Sequence, residues 1–206
     1  MRGNKTILDY LIRVQAMAKT GLTYARDSYD IERYEELTEL TNELLAEQSN
    51  LELEDIALHF EKLDPYPTPK VDVRGVILRE GKILLIKEKS DQKWAMPGGW
   101  ADVGISPSEN VVKEVWEESG LEVKVERLLA VWDKMKHEHP ADLNHVYKLN
   151  FLCTSTGGAP KPGHEALAVD FFDPENLPEL SLMRNTEAQI KELCRLAQAG
   201  EPAKFD

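Results

Sequence analysis

Three glutamates, Glu114, Glu117 and Glu118, fall at i, i+3 and i+4 within Lys113-Glu114-Val115-Trp116-Glu117-Glu118-Ser119-Gly120. On an α-helix this spacing puts all three carboxylates on one face. Like charges so placed weaken a bare helix by a few tenths of a kcal/mol per pair. A hard divalent cation removes that penalty. Mg2+ takes oxygen ligands, commonly one or two carboxylates together with substrate phosphates. A solvated acidic face is the ordinary alternative for a Glu-Glu pair. The Gly98-Gly99 turn and the well-capped helix around these residues favour the metal reading.

The capping signals are local and complete. Ser106 is an N-cap, Pro107 sits at the first helical position, and Glu109 closes a capping box. Gly120 stops the helix. The sequence therefore predicts a helix over Pro107–Ser119 that turns Val111, Val112 and Val115 to a core. Gly98 and Gly99 let the backbone pass close to the carboxylates, and an ordinary tight turn is compatible with the same pair.

The stretch from Gly99 to Leu121 resembles the signature of the Nudix hydrolases, Gly-x5-Glu-x7-Arg-Glu-U-x-Glu-Glu-x-Gly-U, with U aliphatic. Gly99, Glu114, Val115, Glu117, Glu118, Gly120 and Leu121 are in register with it. Two positions depart: the first glutamate is Ile105 and the arginine is Lys113. These two commonly pair in the family, and a lysine does not reproduce a bidentate guanidinium clamp. The resemblance implies an α/β/α sandwich with a mixed sheet. It also implies hydrolysis of a nucleoside diphosphate linked to another moiety, with Glu114, Glu117 and Glu118 holding Mg2+ or Mn2+ and Glu117 acting in catalysis.

Charge narrows the partners. The chain has 206 residues and a net charge of −12, which argues against stable DNA binding, since that needs a basic surface. With 7 Lys+Arg against 13 Asp+Glu in residues 1–63, neither end carries a basic arm. Cys153 and Cys194 lie far apart, which fits a reducing compartment and no disulfide framework. Asp9, Arg13 and Lys19 interrupt any apolar amino-terminal run, and no stretch approaches the ~20 residues of a membrane span. A soluble cytoplasmic protein is expected.

Residues 1–63 read as a small all-helical domain. Ile7, Leu8, Leu11, Ile12, Val14, Met17 and Ala18 recur at helical spacing, and Gly21 is read as a break. Tyr34, Leu37, Leu40, Leu44 and Leu45 form a second helix begun near Asp30, and Leu53, Ile56, Ala57 and Phe60 a third. Some 60 residues of helix bury little by themselves. Their surplus apolar stripe predicts a homodimer contact, with packing inside one chain as the alternative. Residues 64–70, Pro-rich at Asp64-Pro-Tyr-Pro-Thr-Pro69, read as an extended linker. Residues 71–206 then form the Nudix domain.

That domain reads as strands around two helices. Val71–Leu78 and Ile83–Lys87 flank a hairpin turn at Arg79-Glu80-Gly81-Lys82. Trp94 to Gly99 is extended. Val123–Met135, His145–Cys153 and Ala168–Phe172 are β-rich, with loops at 136–144 and 154–163. Asn185–Ala199 is an amphipathic helix.

Outside the signature, Glu165 is the candidate general base or additional ligand, since relatives often carry an acidic residue there. His164 is weaker. His137, His139 and His145 cluster in one loop but lack zinc spacing. Of Trp94, Trp100, Trp116 and Trp132, Trp100 abuts the glycines and, with Asp102, offers an aromatic and acidic contact for a cationic group. Gly98, Gly99, Trp100 and Asp102 are thus the substrate-binding candidates. The helical segment, linker and Gly-Gly-Trp-Ala-Asp-Val-Gly run resemble a bacterial branch with an amino-terminal domain that acts on linked nucleoside diphosphates. This implies CDP-choline cleaved to CMP and phosphocholine, with ADP-ribose as the rival and RNA ends as a side substrate. From another class comes a non-catalytic nucleotide sensor, which the departures at Ile105 and Lys113 keep open.

Overall fold

The computed structural model describes residues 6–49, 51–61 and 66–206. The chain forms two compact units, Met1–Pro69 with Ala141–Asn144, and Lys70–Pro140 with His145–Asp206. The start of the predicted linker, at Asp64 and Pro65, lies outside the described residues. So do residues 1–5, Asn50, Glu61's two successors and the end of the predicted helical domain at residue 63. From 66 to 69 the chain has no regular structure.

The first unit holds α1 (Ile7–Tyr24), α2 (Ser28–Ser49) and α3 (Leu53–Glu61). Thr6 and Asp9 form a capping box that starts α1. Gly21 does not break α1, as its residue type predicts, but lies inside it. A Cβ there would stand 2.4 Å from the Tyr34 ring on α2. The glycine is a packing residue, and the cost of its helical entropy is offset by the close approach of an aromatic ring. Gln15 on α1 donates to Asn42 on α2 at 2.8 Å, a buried polar pair that fixes how the two helices face each other.

The second unit is an α/β/α sandwich around a mixed sheet, as the resemblance implies. Its strands are β1 (Lys70–Arg79), β2 (Lys82–Glu88), β3 (Trp94–Ala95), β4 (Leu121–Asp133), β5 (Val146–Gly158), β6 (Ala166–Phe172) and β7 (Lys204–Phe205). The order is β3-β2-β1-β5-β4-β7, with β6 paired to β2. Parallel pairing joins β1 to β5 and β4 to β7, and the other ladders are antiparallel. Helix α4 (Pro107–Ser119) packs Val111 and Val115 on one face against Val73, Ile77 and Leu84. Helix α5 (Glu187–Ala199) packs Ile190, Leu193 and Leu196 on the other, against Val76, Ile83 and Leu85.

The hairpin turn is where it is read, with Glu80 and Gly81 both at positive φ and Arg79 paired to Lys82. The carboxyl ends of β5 and β4 differ from the sequence reading by two residues or more, and β7 is additional. Strand β5 runs to Gly158 through part of the predicted 154–163 loop, because β4 begins directly at Leu121 and supplies ladder partners for Gly157 and Gly158. Strand β4 ends at Asp133, whose carboxylate accepts from Met135 N–H and starts a short 3-10 turn over Lys134–Lys136. Strand β7 has no periodic signal, being two residues long. Cys153 and Cys194 are free thiols in opposite cores. Among the described residues, no helix is long and apolar enough to cross a membrane.

One stability test follows from α1. Gly21→Ala raises intrinsic helix propensity by about 1 kcal/mol, yet the crowded ring makes the net effect destabilising, on the order of 1–3 kcal/mol. Thermal melts followed by circular dichroism check this. Adding Tyr34→Leu is expected to recover the loss, and a Gly21→Ala protein more stable than wild type would contradict the packing role.

Candidate active site

The site is built where β1 stops being covered by β2. The hairpin pairs β1 only at Leu78 and Arg79. Farther back, residues 97–101 take over that edge. Gly75 N–H donates to Pro97 O, Val73 N–H to Gly99 O and Ala101 N–H to Val71 O, each at 2.9 Å. At Gly98, φ is +138° and a Cβ would stand 2.0 Å from Val73 O, so only glycine fits this close approach. The same residue donates its N–H to Glu118 Oε2 at 2.7 Å. The strand edge thus delivers a backbone donor to a carboxylate on α4.

Helix α4 has the caps that its sequence predicts. Ser106 and Glu109 close a capping box, Pro107 stands at the first position, and Gly120 adopts the left-handed conformation at the end. Its carboxylates differ in environment. Glu118 is buried. Burial raises its pKa to about 7, opposed by the Arg74 charge and the Gly98 N–H. Glu114 is partly buried, and burial raises it too, opposed by Lys113 and reinforced by Glu117. Glu117 is more exposed, with 45% of its side chain accessible, and lies 3.3 Å from Lys113 Nζ.

Behind Glu118 lies a buried ionic cluster. Asp72 and Arg74, two apart on β1, point to the same side of the sheet. Arg74 donates to Asp72 through Nε at 2.9 Å and Nη2 at 2.7 Å, and to Met96 O through Nη1 at 3.0 Å. Lys148 of β5 donates to Asp72 Oδ1 at 3.0 Å. Burial pushes the Asp72 carboxyl up, but Arg74 and Lys148 together bring it below its ordinary value. Burial lowers Lys148 to about 8. Glu88, at the end of β2, is buried and ion-paired to Arg184 Nε at 2.6 Å. Burial raises Glu88, with Arg184 and Arg74 opposing. Arg74 is therefore a fixed cation shared by Asp72, Glu118 and Glu88.

A model of the NUDIX domain matches residues 68–194, more than half of the chain. The chain belongs to the Nudix family. A second model, described as a UDP-X-like N-terminal oligomerisation domain, matches residues 5–60. A putative ADP-ribose pyrophosphatase of Bacillus subtilis (strain 168) is 46% identical over 181 residues, 88% of this chain and 87% of its own. A crystal structure of a UDP-X diphosphatase has 38% identity and a TM-score of 0.64, with 97% of both chains covered. An ADP-ribose pyrophosphatase from Streptococcus suis 89-1591 has 41% identity and a TM-score of 0.62, covering 68% of this chain and 100% of that one. The protein is a Nudix pyrophosphohydrolase.

The Nudix helix does not gather its three glutamates round one point. Among the described residues, no three carboxylates, imidazoles or thiols are close enough together to hold a metal ion. Like charges keep apart, and Lys113 lies among them. The donor set nonetheless suits a hard divalent cation. It offers carboxylate oxygens only, and on buried Glu118 a bound cation offsets the cost of carrying charge.

The other predicted residues are placed as follows. Asp102 accepts from Lys113 Nζ at 2.9 Å, so a neighbouring acid partners the lysine where Ile105 offers none. Trp100 is half exposed, with Lys70 Nζ 5.3 Å from its ring centre. Gly99 stands against Glu114, whose Oε2 would be 3.0 Å from a Cβ there. Glu165 is exposed, and its carbonyl accepts from Lys89 N–H at 3.2 Å. Its charge raises the pKa of Glu88, which puts it on the side of the buried acids. His164 is exposed beside it. His137 and His145 lie against Asp206 and Asp133, and His139 Nδ1 lies against Leu182 O. Trp94 and Trp132 are packing residues, and Trp116 is exposed. Sequence reasoning missed Asp72, Arg74, Glu88, Lys148 and Arg184. The signal was present in Val71-Asp-Val-Arg-Gly-Val-Ile77, where two opposite charges interrupt an apolar strand at a spacing of two.

Two substitutions test these electrostatics. The folded pKa of Glu118, about 7, lies above its ordinary 4.5. Its contribution to stability is therefore full below pH 4.5 and is lost as pH rises through 7. Charging it at pH 8 costs on the order of 3 kcal/mol. In chelator, Glu118→Gln is expected to melt higher than wild type at pH 8 and equally at pH 4.5; the same difference at both would refute the buried charge. Arg74→Met removes the guanidinium shared by Asp72, Glu118 and Glu88, leaving Lys148 on Asp72 and Arg184 on Glu88, and denaturant unfolding is expected to show a loss of about 3–5 kcal/mol.

Proposed function

We propose that this protein hydrolyses the pyrophosphate bridge of a nucleoside diphosphate linked to a second moiety. In this reading Glu114, Glu117 and Glu118 hold a divalent cation, Mg2+ or Mn2+. The observation that carries it is Glu118, a buried carboxylate fixed by Gly98 N–H at 2.7 Å on the face that also bears Glu114 and Glu117. When bound, the cation neutralises phosphate charge and lowers the pKa of water. The chain's own residues do the rest. Gly98 orients Glu118, Arg74 supplies a fixed positive charge behind it, and the 97–101 edge holds Gly98 and Gly99 against β1. In this reading Glu165, exposed in the loop before β6, is the base, and Glu117 is the more accessible acid on the helix.

ADP-ribose is the first substrate to test, because that activity names the relative that is 46% identical over most of this chain. CDP-choline is the second. It is favoured by the exposed Trp100 ring, which already presents its face to an ammonium, that of Lys70. Asp102 contributes less to choline recognition than its sequence position implies, since Lys113 engages it. A non-catalytic sensor is disfavoured by the buried, raised Glu118, a costly arrangement for a module that does no chemistry.

In the first unit, Tyr10, Met17 and Tyr24 are exposed at successive heptad spacings along α1, and Leu40 and Leu44 on α2. These residues form the face that pairs two copies. The family description of residues 5–60 as an oligomerisation domain supports the same assignment.

The reading is tested by kcat/KM for ADP-ribose, CDP-choline, a UDP-sugar and a nucleoside triphosphate with Mg2+ and with Mn2+. Linked diphosphates are expected to lead. A CDP-choline value ten times that for ADP-ribose, about 1.4 kcal/mol, would reverse the substrate order, and no turnover of any linked diphosphate would leave the sensor. Glu117→Gln is expected to cut turnover by orders of magnitude in a folded protein. Sedimentation of the full chain is expected to show a dimer at micromolar concentration; a strict monomer would overturn that assignment.

A further inference from the structure

Lys113 brings a positive charge onto the acidic face of α4. Its Nζ lies 2.9 Å from Asp102 Oδ2, 3.3 Å from Glu117 Oε2 and 3.8 Å from Glu114 Oε1. Two of these partners are the glutamates assigned above to the cation. The third is not on the helix. Asp102 stands in the loop before α4, and the buried Asn110 fixes its backbone there. Asp102 N–H donates to Asn110 Oδ1 at 2.8 Å, and Asn110 Nδ2 donates to Asp102 O at 3.3 Å. The loop backbone that carries the Asp102 carboxylate is thus held, while the ammonium rides on a flexible four-carbon stem that is 40% accessible.

A divalent cation approaching Glu114 and Glu117 meets this ammonium at their oxygens, and like charges a few ångströms apart repel. Lys113 has one carboxylate to which it can withdraw without leaving the site. We propose that Lys113 is the internal counter-ion of the acidic face, and that Asp102 is the docking point that draws its ammonium away when a divalent cation takes Glu114 and Glu117. The inference rests on the reading of those glutamates as metal ligands. Lys113 opposes the metal by competing for its oxygens. Asp102 favours it by holding the competitor elsewhere. Both act as positioning residues, and neither needs to touch the substrate.

This assignment makes an unusual demand on the two halves of one ion pair: removing them must move metal affinity in opposite directions. A pair that served only to stiffen the loop and helix would weaken binding when either member was lost. The experiment is a Mn2+ titration of the full-length protein without substrate, read by the electron paramagnetic resonance signal of free Mn2+, for wild type, Lys113→Met, Asp102→Asn and the double variant. Lys113→Gln stands in if the methionine variant fails to fold. The expected result is a Kd about threefold lower for Lys113→Met and about threefold higher for Asp102→Asn, the size of an exposed ion pair. In the double variant, Asp102→Asn is expected to add little, since Asp102 acts through Lys113. Shifts of both single variants in the same direction, or an undiminished Asp102→Asn effect without Lys113, would overturn the inference and leave the metal site standing. A wild-type protein that binds no Mn2+ would overturn the metal reading, and this inference with it.

Discussion

Arg74 carries its charge inside the sheet, where an uncompensated guanidinium would cost several kcal/mol. Its position is tolerable only because anions and carbonyls are held around it. Asp72 takes two of its donors, Met96 O takes a third, and Glu118 and Glu88 supply further negative charge. Each of these groups comes from a different part of the second unit. Asp72 shares β1, Met96 opens the edge segment, Glu118 ends α4 and Glu88 ends β2. Satisfying one cation therefore fixes the relation of four segments, and those segments are the walls of the site. Lys148 adds a second buried cation on Asp72 from β5, which extends the same constraint across the parallel ladder.

The arrangement also explains how a carboxylate stays useful while buried. Burial alone would raise the Glu118 carboxyl further than is seen. The Arg74 charge and the Gly98 N–H restrain the shift, so that Glu118 titrates near neutrality. A buried carboxyl whose charged form lacks solvation gains from a cation that takes the proton's place. The closeness of β1 to residues 97–101 is thus electrostatic in its consequence as well as structural. Without glycine at position 98 the edge could not approach β1, and the N–H that steadies Glu118 would be lost.

What the sequence revealed depended on the range of each interaction. The bounds of α4 were legible to the residue, because Ser106, Pro107, Glu109 and Gly120 act within one turn of the chain they cap. The hairpin at Glu80-Gly81 was legible for the same reason. Gly21 was misread, because its role lies in the Tyr34 ring of a neighbouring helix, and nothing near it in the chain announces a ring. The reach of β5 to Gly158 was hidden because it depends on where β4 begins. The shared face of Glu114, Glu117 and Glu118 followed from helix periodicity alone. The cluster behind it joins residues from positions 72 to 184, and its only local trace was a pair of opposite charges in an apolar strand.

The same distinction separates the chemistry of this protein from its choice of substrate. A metal-binding face can be encoded on one helix, so its residues sit within five positions of one another. A substrate contact is assembled from loops and strand ends that meet only in the fold. Asp102 shows the difference. Its place near Trp100, Gly98 and Gly99 makes it a natural partner for a substrate cation, yet the fold turns its carboxylate to Lys113. An acid already engaged by an internal charge, though its side chain is 58% accessible, has less charge to offer a substrate cation, so recognition gains from accessible uncharged groups beside it. Trp100, half exposed beside Gly99, is such a group. An aromatic face accepts a nucleobase by stacking and a quaternary ammonium by its quadrupole with comparable ease. A ring that serves either group equally well carries no preference between an adenine and a choline moiety; such a preference needs polar groups beside a ring.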